Sequence, residues 1–249
     1  MKPLCLFTAI ACLLTSCSKS GGSDPAPADA IAYQGSVQVV DQFGTPMASD
    51  YVSVTITETN PNWTVRTDVN GRYVMNVNNN VSAGIHQLRY SMQGGTVYLK
   101  ANVATGSAPQ PLVTLSPFTT TRLTMTAGRT GVNYVVQGAV DRPLPGQPRP
   151  YRLFFIKSTA PAPLPPIATS YALTLGGNPA PDGTFSVSLT PAELSAVGFR
   201  SGDEVLVFGT GDNPATSTYP DPTTGKTVYP ACNVAVTAAN TAMTRFSFQ

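Results

Sequence analysis

The sequence is short of the residues from which most enzymes and metal centres are built. Histidine occurs once, at His86, in 249 residues. A Ser or Cys nucleophile ordinarily needs a histidine base, and a zinc site ordinarily gathers several His, Cys or acidic ligands. No catalytic residue, cofactor or metal ligand is therefore assigned, and His86 is expected on a sheet face. Glutamate occurs only at Glu58, Glu193 and Glu204. Helix capping accounts for Glu193 and a strand edge for Glu204, which leaves a hydrolase with paired carboxylates as the weakest alternative. Charge is scarce at 11%, far below the usual quarter. A net charge of +2 gives no electrostatic case for a nucleic-acid partner.

Cysteine is also sparse. Cys5, Cys12 and Cys17 crowd the N-terminus, and Cys232 stands alone. If the first three leave or are modified on export, no intramolecular disulfide remains, and Cys232 is expected as a half-buried small apolar residue. Long apolar runs are missing too. Leu4 to Leu14 has the length of a signal h-region, preceded by the positive Lys2, and is too short to span a bilayer.

The run closes on Leu14-Thr15-Ser16-Cys17. That order resembles the lipobox of bacterial lipoproteins. The resemblance implies cleavage before Cys17, a lipid on its sulfur and an acylated amine. Two or three acyl chains hold a protein stably where one would not. Residues 1–16 are then the signal peptide. Residues 17–31, rich in Ser, Gly, Pro and Ala, read as a flexible tether. Loss of Lys2 leaves 14 of the 15 basic residues against 13 acidic ones, a balance near neutrality. No aspartate directly follows Cys17, which favours the outer membrane under the enterobacterial sorting rule.

What is abundant is turn chemistry and β formers. The chain carries 21 Gly and 23 Pro among many Thr, Val, Ser and Asn, which predicts an all-β protein with many turns. Two β-sandwich domains of Ig-like or transthyretin-like type are expected, over 32–116 and 117–249. In the first, Val37/Val39 and Val52/Val54/Ile56 alternate as strands should. Further strands are expected at 63–67, 72–77, 85–90 and 96–103. Asp68-Val69-Asn70-Gly71 is expected to turn a hairpin, since Asn-Gly accepts positive φ; it lacks the later glutamate of a calcium loop.

This stretch resembles the carboxypeptidase regulatory-like domain, a transthyretin-like sandwich. The resemblance is carried by Gly35-Ser36-Val37, Asp41, Gly44-Thr45-Pro46, Thr67-Asp68-Val69-Asn70-Gly71-Arg72-Tyr73 and Gly84-Ile85-His86-Gln87-Leu88. Ser49-Asp50 and Gln93-Gly94-Gly95 depart from the family pattern. The resemblance implies a module that folds, spaces and mediates contact without catalysis.

In the second domain, strands are expected at 133–140, 151–157, 171–175, 183–189, 203–209 and 243–248. Tyr151 to Lys157 is the most apolar of them and so central. Two proline loops interrupt them, 141–150 and 160–166. Thr190-Pro191-x-Glu193 signals a capped helix of about two turns ending at Gly198. The sequons Asn62-Trp63-Thr64 and Asn80-Val81-Ser82 carry little meaning in a bacterium. Gly209-Thr210-Gly211 is followed by no helix pattern, so no phosphate loop is expected.

The longest loop, Gly209 to Pro230, is the place to look for binding. Loops of this length are often functional, and exposed Tyr beside Asp suits a glycan or peptide surface. Asp212, Tyr219, Asp221 and Tyr229 are its candidate binding residues; a loop without a ligand is the alternative. Together these expectations describe a lipid-anchored, extracytoplasmic, non-catalytic protein with a role in adhesion, scaffolding or ligand display. Its partners would be the membrane through Cys17 and an envelope protein or a glycan, the glycan case being an accessory lipoprotein of a polysaccharide uptake system.

Overall fold

The computed structural model describes residues 30–58, 62–77, 84–141, 149–158, 170–232 and 242–249. The signal segment, Cys17 and most of the tether lie outside them, as do Asn80-Val81-Ser82 and the proline loop 160–166. Among the described residues all but one of the long elements are strands, and they form two sandwiches.

The first sandwich contains β1 (Ala30–Val40), β2 (Pro46–Met47), β3 (Ser53–Ile56), β4 (Trp63–Arg66), β5 (Arg72–Val77), β6 (Ile85–Ser91), β7 (Val97–Ala104) and β8 (Pro109–Leu115). β1 starts inside the expected tether, because Ala30 and Ile31 already pair with Val77 and Asn76. One sheet is built around β1, which pairs antiparallel with β2 and β5 and parallel with β8. The other runs β4-β3-β6-β7, all antiparallel. The alternation seen in the sequence sets the faces. Val52, Val54 and Ile56 are fully buried, while Ser53 and Thr55 between them are not. They join Tyr33, Val37, Met75, Leu88, Tyr90 and Leu115 in one core. The hydroxyls of Tyr73 and Tyr90 satisfy each other at 2.8 Å inside it, as buried polar groups must.

Asp68-Val69-Asn70-Gly71 is a tight turn but not a hairpin, because β4 and β5 belong to different sheets. Asp68 Oδ1 accepts the Asn70 and Arg72 amides at 2.9 and 2.7 Å. Gly71 sits at φ +73°, where a Cβ would lie 2.0 Å from the Val37 carbonyl oxygen. The glycine thus lets the chain cross from one sheet and press against β1.

The second sandwich contains β9 (Leu123–Thr130), β10 (Asn133–Val140), β11 (Tyr151–Lys157), β12 (Leu173–Gly177), β13 (Thr184–Leu189), α1 (Pro191–Ala196), β14 (Glu204–Gly211) and β17 (Ala242–Ser247). The short strands β15 (Tyr219–Pro220) and β16 (Thr227–Val228) form a separate ribbon. The sheets run β13-β10-β9 and β12-β11-β14-β17. The helix carries the expected capping box: Thr190 Oγ1 accepts the Glu193 amide, and Glu193 Oε2 accepts the Thr190 amide at 2.7 Å. It inserts the fully buried Leu194 into the core between the sheets.

β11 and β14 are buried on both faces. Leu153, Phe155, Val205 and Val207 point into the core between the sheets. Phe154, Ile156, Leu206 and Phe208 point the other way and are also buried, with Tyr171 and Cys232. A strand covered on both faces reads as an unbroken apolar run, and Leu153-Phe154-Phe155-Ile156 is such a run. Its outer cover comes from the chain after β14, the loop singled out from the sequence.

Candidate functional site

The loop after β14 begins later than the sequence suggests. The strand continues through Gly211, whose absent side chain leaves room for Thr119 and Thr121; a Cβ there would stand 2.6 Å from Thr119 Oγ1. The next residue, Asp212, is 6% exposed. Its Oδ2 accepts both Arg152 Nε at 2.8 Å and a terminal guanidinium nitrogen at 2.7 Å. Its Oδ1 accepts the Asn213 amide at 2.8 Å and the Cys232 thiol at 3.4 Å. The Arg152 guanidinium lies 3.7 Å from the centroid of the Tyr229 ring, a close cation–π contact. Tyr229 in turn meets Phe154 edge-on at 6.1 Å.

This cluster is a closed structural knot around a small cavity of about 110 Å³. Every strong acceptor of Asp212 is occupied. Cys232 is buried rather than half-buried, and burial and then the Asp212 charge push its thiol well above the ordinary value. It is held as the thiol, which is a poor nucleophile.

The other two predicted residues are elsewhere. Tyr219 reaches the first sandwich and packs edge-on against Tyr98 at 5.4 Å. That contact ends a chain of tyrosines, Tyr73–Tyr90–Tyr98–Tyr219, with successive centroids 5.8, 5.7 and 5.4 Å apart. Asp221 organises the turn between β15 and β16. Its Oδ1 accepts the Thr223 and Thr224 amides at 3.1 and 2.7 Å and the Thr224 hydroxyl at 2.9 Å. So Asp212 and Tyr229 come together through Arg152, and Tyr219 and Asp221 do not join them. The expected exposed loop of Tyr and Asp is instead a layer folded over β11 and β14, because those strands present apolar side chains on both faces.

The same layer joins the two sandwiches. Asn213 Nδ2 donates to the Asp41 carbonyl at 2.8 Å. Ser217 and Thr114 exchange two bonds: the Ser217 amide to the Thr114 carbonyl and the Thr114 amide to Ser217 Oγ, both 2.8 Å. The Ser116 and Thr216 hydroxyls meet at 2.8 Å while buried. Gln42 Oε1 accepts from the Thr120 hydroxyl at 2.8 Å, and Arg149 lies over the Phe43 ring at 5.7 Å. Sequence reading missed Arg152, Asn213 and Ser217. The continuous apolar run of β11 was the available signal, since it demanded a cover.

Carboxylates elsewhere are committed to local structure. Asp41 caps its own turn through the Phe43 and Thr45 amides at 2.8 Å. Glu58 accepts the Gln87 amide with both oxygens at 2.8 Å and stands 3.6 Å from His86 Nδ1. Asp203 pairs with Lys157 at 2.7 Å and Glu204 with Arg245 at 3.1 Å. Hydrogen bonds hold Asp41, Asp182, Glu193, Asp203, Glu204 and Asp221 below the ordinary carboxylate range. Such groups are weak bases and are not poised to donate a proton near neutrality. Among the described residues no group of three or more His, Cys, Asp or Glu could hold a metal ion.

One open groove of about 820 Å³ lies on the second sandwich, lined by Thr124, Gln137, Tyr151, Asn178, Phe185 and Ser186 among others. Tyr151 and Phe185 stack at 4.2 Å at its base.

No family model matches the chain, and no curated protein matches it. Solved structures similar to it include a DUF3823 family protein from Bacteroides ovatus, at 8% identity and TM-score 0.31 over 88% of this chain and 100% of that one. A DUF3823 family protein from Parabacteroides merdae is 12% identical, with TM-score 0.27 over 74% of this chain and 92% of that one. A Bacteroides uniformis protein provisionally described as carbohydrate binding is 10% identical, with TM-score 0.28 over 87% and 99%.

Proposed function

We propose that this protein is a lipid-anchored, non-catalytic display module: two sandwiches fixed to one another and held at the outer membrane through Cys17. The observation that carries the reading is the junction. Asn213, Thr216, Ser217 and Tyr219 all reach from the second sandwich to the first. A long loop used to set the relation of two modules serves a protein whose product is a presented surface. The occupied, low-pKa carboxylates support the absence of catalysis. The regulatory-like character of residues 32–116 and the lipid on Cys17 rest on their sequence patterns.

The chain supplies its own probe of the junction. Trp63, the only tryptophan, lies on β4 in the first sandwich, whereas far-UV circular dichroism reports both. In urea the two signals should fall together, and Asn213→Ala with Ser217→Ala should separate them. Two transitions in the unaltered protein would sink the reading. Cys17→Ala should release the chain from membranes and abolish lipid labelling; labelling that survives would remove the anchor.

A second reading, glycan capture in a polysaccharide uptake system, is favoured by the open groove with its hydroxyl and amide lining. A glycan array tests it, with Gln137→Ala and Asn178→Ala as the informative variants rather than changes at the buried knot.

A further inference from the structure

The outer face of the β4-β3-β6-β7 sheet carries a feature that the groove does not use, bordered by the junction residue Tyr219, whose hydroxyl feels the Arg89 charge. A depression of about 410 Å³ is lined there by Tyr51, Ser53, Arg66, Arg89, Ser91 and Gln93, among others. Pairing explains why these residues meet. Ser53 is opposite Arg66 on one side and Ser91 on the other, and Thr55 beside it is opposite Arg89. The two arginines therefore flank β3 from its two neighbours, one strand spacing away on either side, or roughly 10 Å apart across the sheet. Both are exposed. Neither takes part in an ion pair among the described residues, although five other pairs form. Two exposed guanidinium groups outside any of these pairs thus share one depression.

The lining also holds no carboxylate. Two acidic groups act on residues of its neighbourhood, Asp50 on Tyr51 and Asp221 on Tyr219. Asp50 adjoins Tyr51, and its charge adds to burial in raising that hydroxyl. Asp221 has its Oδ1 engaged by the Thr223 and Thr224 donors of its own turn. The rest of the lining is Tyr51, Ser53, Ser91 and Gln93, whose hydroxyl and amide groups both donate and accept, with Met92 and Val97. Guanidinium groups bind carboxylate and sulfate through paired N–H bonds, and Ser, Tyr and Gln match sugar hydroxyls. An acidic peptide would ordinarily seek a strand edge for its backbone; this depression lies over the face of β3 and β6, whose ladder bonds are made on both sides.

We infer that this depression binds an acidic saccharide, with Arg66 and Arg89 receiving its carboxylate or sulfate groups and Ser53, Ser91, Tyr51 and Gln93 its hydroxyls. The site is independent of the anchor and of the groove on the second sandwich.

The test is isothermal titration of the full chain with three oligosaccharides of equal length: an oligogalacturonate, a sulfated galactan and a neutral galactan. One or both acidic probes should bind and the neutral one should not, and which acid binds separates carboxylate from sulfate recognition. Arg66→Ala and Arg89→Ala should each weaken binding about tenfold or more, the loss expected for a hydrogen-bonded charge. Arg89→Lys should recover part of it. Arg129→Ala, on β9 of the other sandwich, should change nothing. Melting temperatures verify that the exposed-site variants remain folded. Failure of both acidic probes, equal binding of the neutral one, an Arg129→Ala loss as large as the others, or equal binding of an oligoglutamate would each overturn the inference.

Discussion

The two sandwiches solve the same problem with different numbers of layers. In the first, the central strand β3 buries one face and wets the other: Val54 and Ile56 are inside, while Ser53 and Thr55 face outward. In the second, β11 and β14 bury both faces, and the chain from Asp212 to Cys232 is laid over them as a third layer. The lesson is that hydrophobic pattern reports layer count as well as strand position. Alternation means two layers. An unbroken run means that something later in the chain must come back to cover it, and here the covering segment became the joint between the modules.

The comparison can be broken most forcefully at Phe154. On a two-layer sheet its outward position would tolerate truncation. As the floor of a covered face, Phe154→Ala should cost about 3–5 kcal/mol in urea denaturation, while Thr55→Val, outward on β3, should change stability little. A small loss at Phe154 would mean that the third layer contributes little.

Next in size is Asp212→Ala. Removing it strands the Arg152 guanidinium in a site where its side chain is 16% exposed. Breaking such a pair costs about 3–5 kcal/mol at full burial, and partial solvation of Arg152 should bring this to the lower end. Replacing both partners, as in Arg152→Met with Asp212→Leu, should recover most of the loss. Equilibrium unfolding of the single and double variants checks both.

Tyr219→Leu should have a smaller effect, about 1 kcal/mol, since an edge-to-face ring pair contributes of that order beyond its area. The loss should appear as separation of the Trp63 and circular-dichroism transitions rather than as a drop in both.

The smallest effect, and the one that sharpens the contrast most, is pH. Among the described residues, lowered carboxylates fall mostly in the second sandwich: Asp182, Glu193, Asp203, Glu204 and Asp221, against Asp41 in the first. A depressed folded pKa contributes stability above the unfolded value and loses it as pH falls through the folded one. Acid, below the ordinary values of 3.8 for Asp and 4.5 for Glu, should therefore loosen the second sandwich first. Raised tyrosines are more numerous in the first. Burial, with the Glu58 charge, pushes Tyr33 up to about 12, and burial raises Tyr51, Tyr73, Tyr90 and Tyr98 as well. Tyr151, Tyr171 and Tyr219 are the second region's set. A raised folded pKa contributes stability below the unfolded value and loses it as pH rises through the folded one. Alkali above pH 10 should therefore loosen the first sandwich first. Trp63 emission followed against circular dichroism at both extremes would show the order, and the reverse order would refute it.

Local signals were legible and non-local ones were not. The alternation of Val52, Val54 and Ile56, the Thr190–Glu193 capping box and the Asp68 turn are written within a few residues. β8 is not: Pro109 and Pro111 break its pattern, and its partner β1 lies about seventy-five residues earlier in a parallel pairing. β9 does carry an alternation, Leu123-Thr124-Met125-Thr126-Ala127, but it is short and follows a run of threonines that reads as a linker. The Asp68 turn showed that the chain reverses but not that it changes sheets. Asp212 and Tyr229 stand in the sequence as candidate residues of an exposed binding loop, yet Arg152, which engages both in the interior, lies sixty positions from Asp212. The Arg66–Arg89 depression exists only after strand pairing sets the two side by side.

The parallel pairing of β1 with β8 has a mechanical consequence. The chain enters the first sandwich at the start of β1 and leaves for the second at the end of β8, from opposite ends of two strands that run the same way. A pull between the start of β1 and the second sandwich drags these strands past one another lengthwise. Their hydrogen bonds then share the load together, rather than opening one after another as they would if the strands were peeled apart from one end. The two terminal strands act as a clamp against tension applied along the chain.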